Sequence, residues 1–210
     1  MQLSCPLLQK GVSTKNLAVY ALLSILALAV TGCSSKYMKP AGPDAAALYA
    51  PSRDKAVIIF MRPSSLGGAI QSSVFDVTTS DNVLVGIVSH KSKVAYRVAP
   101  GEHLFMVIGE SADFMRADLE SGKTYYALVT PRIGIWKARF SLKPVHKNEF
   151  TSDDFKDWNS TCEFVENTEA SYQWAKDNMP SVQEKRTTYF EKWMSKPEAD
   201  RPVLNREDGM

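Results

Sequence analysis

Histidine, cysteine and serine are the residues of this chain that could support catalysis or bind a metal ion. His90, His103 and His146 are scattered, and none has a second ligand at the spacing of a zinc site, such as His-Glu-x-x-His or Cys-x-x-Cys. No Gly-x-Ser-x-Gly sequence marks a nucleophilic serine. We therefore expect no metal ion, no cofactor and no catalytic residue, and we do not expect an enzyme. His103, which follows a Pro-Gly turn between apolar residues, is expected to be half-buried and hydrogen-bonded.

The three cysteines are Cys5, Cys33 and Cys162, too few for a disulfide framework. Cys162 stands beside Thr161 and near Phe164, so we expect it to pack as a small hydrophobic residue. A reactive thiol or a disulfide between two chains is the alternative.

The sequence before Cys33 has the features of a secretory signal. Residues 17–30 (LAVYALLSILALAV) carry no charge and follow Lys10 and Lys15. This run is too short for a membrane-spanning helix, which needs about 20 residues, but it matches the apolar region of a signal peptide. Val30–Cys33 (Val-Thr-Gly-Cys) resembles the lipobox of bacterial lipoproteins. The resemblance implies a signal peptide over residues 1–32 and lipid attachment at Cys33. The alternative is an uncleaved anchor or a plain signal peptide, with Cys33 incidental.

Lipidation would place the protein at the bacterial cell envelope, facing the periplasm. Ser34 and Ser35 resemble the residues that follow the cysteine in lipoproteins released to the outer membrane, so we expect the outer rather than the inner membrane. The formal net charge of +2 over 210 residues gives no electrostatic case for a nucleic-acid partner. The expected partners are the membrane, through the lipid, and an envelope protein.

Two patterns indicate candidate binding surfaces. Strand residues 137–143 alternate, placing Ala138, Phe140 and Leu142 inward and a basic row outward. A helical stripe near the C-terminus is aromatic. The basic row could meet an anionic partner or simply protect a sheet edge, and the aromatic stripe could bind a partner or pack on the β domain. The candidate residues are Lys137, Arg139 and Lys143 in the basic row, and Tyr189, Phe190, Trp193 and Met194 in the aromatic stripe.

The residues that must position these surfaces fall into three parts. Residues 33–54 contain Pro40, Pro43 and Pro51, which disfavour strands and long helices, so we expect a flexible tether with at most a short helix near 44–49. Over residues 55–145 apolar residues alternate between turn signals, which is typical of a small antiparallel β-sandwich. The predicted strands are Ala56–Met61, Ser73–Thr79, Val83–Ser89, Val94–Val98, His103–Ile108, Met115–Leu119, Thr124–Thr130 and Lys137–Lys143, and the first should be buried on both faces.

Residues 146–210 are expected to form a helical C-terminal extension. The pattern predicts one helix over Thr168–Met179 and a second over Ser181–Ser195, which begins with a Ser-x-x-Glu capping box and ends before Pro197. Residues after Asp200 are expected to be frayed.

Several short segments resemble a family of bacterial lipoproteins that shares a domain of unknown function, DUF2846. They are AVIIFMRPSS (56–65), the Gly67-Gly68 stretch, VAPGEHLF (98–105) and LESGKTYYALV (119–129). The C-terminal residues around Trp193 are similar to those of its longer members, and the Pro-Gly-x-His turn is also found in PEGA domains. The resemblance implies a β-sandwich-like domain held at the cell envelope, with no assigned activity.

Two functional hypotheses follow. The first is a membrane-anchored, non-enzymatic scaffold or binding module. The alternative is a carrier that holds an apolar or glycan ligand between its sheets, which a filled core would disfavour.

Overall fold

The alternating apolar residues fold into two stacked β-sheets in a computed structural model, which describes residues 36–67, 70–132 and 139–210. The predicted signal peptide, Cys33 and Lys137 lie outside these ranges. The helices are α1 (Ala45–Leu48), α2 (Asp153–Thr161) and α3 (Glu169–Met194). The strands in the described ranges are β1 (Met38–Pro40), β2 (Ala56–Arg62), β3 (Ser72–Asp76), β4 (Val83–Val88), β5 (Ser92–Val98), β6 (Gly101–Ile108), β7 (Ala112–Leu119), β8 (Thr124–Arg132), β9 (Arg139–Val145), β10 (Glu163–Asn167) and β11 (Val203–Leu204).

The mainly β fold predicted from the sequence is confirmed, and each of the eight predicted strands is present. One sheet has the order β1-β10-β5-β2-β8-β9, and the other has the order β11-β7-β6-β3-β4. The sheets are not purely antiparallel as predicted: both are mixed, because β2–β8, β5–β10 and β7–β11 are parallel pairs. A parallel pair needs a long crossover connection, and β2 and β8 are separated by strands that pass through the other sheet.

Strand β2 is buried on both faces, as its continuous apolar sequence predicts. Ile58 and Phe60 belong to the core cluster that fills the space between the sheets. Val57, Ile59 and Met61 belong to a second cluster on the opposite face, which also holds Phe155 of α2. The six-stranded sheet therefore has a packed layer on each side, which explains why β2 lacks the alternation of a half-exposed strand.

Large side chains fill the space between the two sheets. Phe60 of β2 and Phe105 of β6 meet there with ring centroids 5.1 Å apart. Tyr125 from the first sheet and Met115 from the second are also fully buried. Interiors packed in this way have few voids larger than a water molecule.

Helix α3 covers the outer face of the five-stranded sheet. Phe114 of β7 contacts Phe190 and Trp193 of the helix, with ring centroids 5.4 and 5.9 Å away. The prediction of two helices separated at Pro180 is wrong, because one helix continues through this residue. Burial of Ala175 before Pro180 and Val182 after it stabilises both halves against the sheet and outweighs the local preference of proline for a helix break.

The capping box predicted at Ser181 is also wrong, since Ser181 lies inside α3. The helix is capped at Thr168, whose side chain accepts a hydrogen bond from the Ser171 N–H. No helix of the described ranges is both long enough and apolar enough to cross a membrane.

The segment predicted as a tether contains a strand. Strand β1 pairs antiparallel with β10, from Met38 opposite Asn167 to Pro40 opposite Val165. The expectation that the prolines disfavour a strand is therefore wrong for residues 38–40. Strand β1 lies at the edge of its sheet, where a proline without an N–H is tolerated. The short helix expected near residues 44–49 is present as α1.

Residues 146–210 were predicted to be helical, but they also contribute strands β10 and β11. The last residues are not frayed: Leu204 is fully buried, and the backbone of Met210 forms two hydrogen bonds with Thr124, of 2.9 and 3.0 Å. The described residues belong to a single compact unit. The sandwich and the C-terminal residues therefore share one core.

Candidate functional site: a basic cleft beside the C-terminal helix

A cleft of about 310 Å³ lies between the C-terminal end of α3 and the ends of β7, β8 and β9. Its walls combine four cationic side chains with one acid, two aromatic rings and a serine. We call it the basic cleft. It is lined by Ser111, Ala112, Asp113, Arg132, Arg139, Tyr189, Lys192, Trp193 and Lys196.

Two arginines of the basic cleft lie opposite each other on neighbouring strands. Arg132 is the last residue of β8 and is paired in register with Arg139, the first residue of β9. Like charges directly opposite each other on adjacent strands are destabilising. Both residues are exposed, and the Arg132 guanidinium donates a 3.4 Å hydrogen bond to the Phe140 carbonyl. The hairpin thus holds two positive charges together at the rim of the cleft.

The other two cations come from the end of α3. Lys196 forms a 3.1 Å ion pair with Asp113, whose side chain is 7% exposed. The Nζ of Lys192 lies 5.1 Å from the ring centroid of Tyr189. Cations are favoured near a helix C-terminus because the backbone carbonyls there are unpaired. Four cations and one acid leave the basic cleft with a formal charge of +3.

The residues of the predicted aromatic stripe do not share one environment. Trp193 is 1% exposed and Phe190 is half-buried against Phe114, as expected if the stripe packs on the β domain. Tyr189 lines the basic cleft, and Met194 is 40% exposed.

Guanidinium groups lie on the indole of Trp193. Those of Arg116 and Arg201 are each 5.6 Å from its ring centroid. The indole N–H is buried and has no hydrogen-bond partner among the described residues.

The residues of the basic row also lie in different places. Arg139 lines the basic cleft, whereas Lys143 forms an ion pair of 3.3 Å with Glu149 outside it. Lys137 and Ala138 lie outside the described residues. Phe140 and Leu142 point inward, each 2% exposed, as the alternation predicts. Strand β9 ends the six-stranded sheet, which is the position that the edge-protecting alternative requires.

Sequence reasoning missed several residues of the basic cleft: Ser111, Asp113, Arg132, Lys192 and Lys196. The four-residue spacing of Lys192 and Lys196 places them near each other at a helix end, which was an available signal. Their proximity to β7 and to the β8–β9 hairpin depends on how α3 packs, which local patterns do not encode.

His103 belongs to a buried polar network at the opposite end of the five-stranded sheet. Its Nε2 lies 2.9 Å from the Ala99 carbonyl, and its Nδ1 lies 3.2 Å from the Thr78 hydroxyl and 3.5 Å from an Asp76 carboxylate oxygen. Both ring nitrogens are therefore engaged, so His103 is hydrogen-bonded and half-buried as predicted. This geometry leaves neither nitrogen free to act on a substrate.

Burial and hydrogen bonding have opposite effects in this network. Burial alone would lower the pKa of His103, but its hydrogen bonds to Asp76 and Ala99 raise the pKa above the ordinary value. Burial would raise the pKa of Asp76, but hydrogen bonds from His103 and Thr78 lower it. Burial, together with the nearby Asp76 charge, raises the pKa of Tyr96 to about 12. The network therefore favours the protonated form of His103 and the ionised form of Asp76, beside a neutral tyrosine.

Cys162 packs among apolar residues, as predicted. It is 3% exposed and belongs to the cluster between β2 and α2. Burial raises the pKa of its thiol to about 11. A nearby buried lysine, Lys93, donates a 2.9 Å hydrogen bond to the Asn159 side chain and lies 4.5 Å from the ring centroid of Phe164. The thiol is therefore protonated near neutral pH and is a poor nucleophile.

Arg62, in the AVIIFMRPSS segment, has a structural role. Its side chain is fully buried and donates hydrogen bonds to the carbonyls of Leu66, Gly67 and Ile70. Its guanidinium carbon lies 4.7 Å from the ring centroid of Phe140. Desolvation lowers the pKa of this guanidinium. Arg62 thus ties the loop after β2 to the sandwich.

Two further clefts of the described residues also border α3. One, of about 520 Å³, includes Thr78, His103 and Phe190 among its walls. The other, of about 300 Å³, includes Trp174, Val182 and Lys185.

Comparison with known proteins adds no relative. Neither the models of known protein families nor the curated proteins give a match to this chain. The resemblance to DUF2846 lipoproteins therefore stays a prediction from the sequence segments quoted above.

Proposed function

We propose that this protein is a lipid-anchored, non-enzymatic binding module of the bacterial cell envelope, acylated at Cys33 and facing the periplasm. The basic flank, the uncharged run and the Val-Thr-Gly-Cys sequence support the anchor. The observation that carries the binding role is the contrast between a filled interior and the clefts that border α3. Recognition would take place on the outer, α3-covered side of the five-stranded sheet.

The filled interior also disfavours the alternative carrier function. Ile58, Phe60 and Phe105 are fully buried between the sheets, and the rings of Phe60 and Phe105 are in contact. A ligand held there would have to displace packed side chains, whose loss of contacts is costly.

Metabolic labelling with radioactive palmitate in cells expressing the full chain tests the anchor. The wild-type protein should carry the label, and Cys33→Ala should not. Cys162→Ala is the matched control, since it removes the buried thiol and should leave labelling unchanged. Label that persists in Cys33→Ala, or a wild type without label, would contradict the proposal.

Cross-linking in living cells, followed by capture from the membrane fraction, tests the binding role. We expect wild type to capture an envelope component that is depleted for Cys33→Ala. We also expect depletion for Arg139→Glu/Lys192→Glu, because both residues lie at the basic cleft. Lys156→Glu/Lys176→Glu reverses two exposed charges away from the clefts and should capture as wild type does.

Native mass spectrometry of the purified protein addresses the carrier alternative. We expect no lipid or glycan to stay bound after detergent exchange. A stoichiometric apolar ligand that remains bound would support the carrier function instead.

A further inference from the structure

The basic cleft concentrates positive charge that carboxylates of the described residues neutralise only in part. Lys196 is paired with Asp113. No carboxylate of the described residues forms an ion pair with Arg132, Arg139 or Lys192. Concave sites lined by one sign of charge focus the electrostatic potential and raise the local concentration of the opposite charge. The cleft is therefore suited to an anion.

Buried donors without partners lie at the wall of the same cleft. Ser111 is 5% exposed, and its hydroxyl has no hydrogen-bond partner among the described residues. The indole N–H of Trp193, on the same wall, is also unpartnered. Leaving a buried donor unsatisfied is unfavourable, so such groups are uncommon in folded proteins. An anion oxygen bound beside Ser111 would supply the acceptor that its hydroxyl lacks.

The size of the cleft exceeds that of a bare inorganic anion. Its volume of about 310 Å³ corresponds to roughly ten water molecules at about 30 Å³ each. A phosphate group with the carbons of an attached polyol or sugar would fill this space. The ring of Tyr189 supplies apolar surface for those carbons.

We propose that the basic cleft binds a phosphate group carried on a polyol or sugar. This inference rests on the proposed function as a binding module and names its ligand chemistry. Three unpaired cations come from β8, β9 and α3, so they can approach different oxygens of a tetrahedral phosphate. A carboxylate offers only two oxygens in one plane. The planar guanidinium groups of Arg132 and Arg139 also match phosphate geometry. The phosphate can belong to a lipid headgroup or to a soluble ester.

Isothermal titration calorimetry on the full chain, extracted from membranes in a nonionic detergent, tests the proposal. The probe is sn-glycerol 3-phosphate, and glycerol is the uncharged control. Arg139→Gln/Lys192→Gln should weaken binding at least about tenfold, because charged hydrogen bonds to the ligand are lost. Arg53→Gln/Lys176→Gln removes the same two charges from exposed positions outside the cleft and should change the affinity less than twofold.

Ser111→Ala provides a second measurement that a purely structural role would not reproduce. It should weaken glycerol phosphate binding several-fold while leaving the unfolding temperature of the free protein unchanged or raised, because an unpartnered hydroxyl is removed. A lowered unfolding temperature together with unchanged affinity would count against a ligand contact.

The source of the phosphate is distinguished by titrating dihexanoyl phosphatidylglycerol, with dihexanoyl phosphatidylcholine as the zwitterionic control. Tighter binding of phosphatidylglycerol than of glycerol phosphate identifies a lipid headgroup, and the reverse order identifies a soluble ester. The proposal is overturned if neither probe binds wild type, or if the cleft and control variants lose affinity equally. Palmitate labelling is independent of these titrations, so the anchor and the ligand can fail separately.

Discussion

Replacing Trp193 by alanine tests whether α3 is held on the sheet in solution. Trp193 is 1% exposed, and its ring lies 5.9 Å from that of Phe114 and 6.0 Å from that of Phe190. Truncating a buried tryptophan to alanine costs about 3–5 kcal/mol. The two ring contacts and the flanking guanidiniums of Arg116 and Arg201 favour the middle of this range, so we expect the free energy of unfolding to fall by about 4 kcal/mol.

Urea unfolding of the full-length protein, followed by circular dichroism, measures this loss. For a chain of this size, about 4 kcal/mol corresponds to a fall of about 8–16 °C in the unfolding temperature. Met194→Ala is the matched control, because Met194 is the next residue and is 40% exposed, so it should cost about 1 kcal/mol or less. Trp193→Phe should cost about 1–1.5 kcal/mol, since the indole N–H that it removes has no partner among the described residues.

A loss in Trp193→Ala no larger than that in Met194→Ala would refute the reasoning. The helix would then not be docked through Trp193, and the aromatic stripe would be free to bind a partner.

Three further predictions follow from buried groups and from the helix. Because the pKa of His103 is raised, its pairing with Asp76 stabilises the fold fully below the ordinary histidine pKa of about 6.5. This stabilisation is lost as the pH rises through the raised pKa. In His103→Gln, the free energy of unfolding in urea should therefore decline less toward alkaline pH than it does in wild type. The lowered pKa of Asp76 works in the opposite sense, and stability should also fall when acid protonates it. With a thiol pKa of about 11, Cys162 should react with maleimide at pH 8 only after unfolding in urea, and rapid labelling of the folded protein would contradict its burial. Pro180→Ala should raise the free energy of unfolding by about 1–3 kcal/mol by returning an N–H to the helix, and a loss of stability would show that the proline fits its site without strain.

The strands of the sandwich were predictable because their side-chain patterns are local. The alternation of β9 placed Phe140 and Leu142 correctly, and the apolar run of β2 indicated burial on both faces. Strand β1 gave no such signal, because three residues ending in Pro40 carry no readable pattern. It forms because β10, which is more than 120 residues away, offers a sheet edge to pair with.

Helix α3 and the basic cleft show the same limit. The local rule predicts a break at Pro180, but contacts with the sheet on both sides of it decide the outcome. Arg139 and Tyr189 were each identified from the sequence as candidate binding residues, and nothing in their separate patterns places them in one cleft. Their meeting depends on how α3 crosses the sheet, which is a property of the whole fold.

The early start of the fold bears on where the protein can act. If Cys33 is acylated, four residues stand between it and Met38, the first residue of β1, so five Cα–Cα steps join the two. A fully extended chain of that length spans roughly 17 Å. A tether that ran unstructured to residue 54 could have reached roughly 70 Å. Such a short tether would keep the domain close to its own membrane. Its ligand would therefore have to be part of that membrane or diffuse to it.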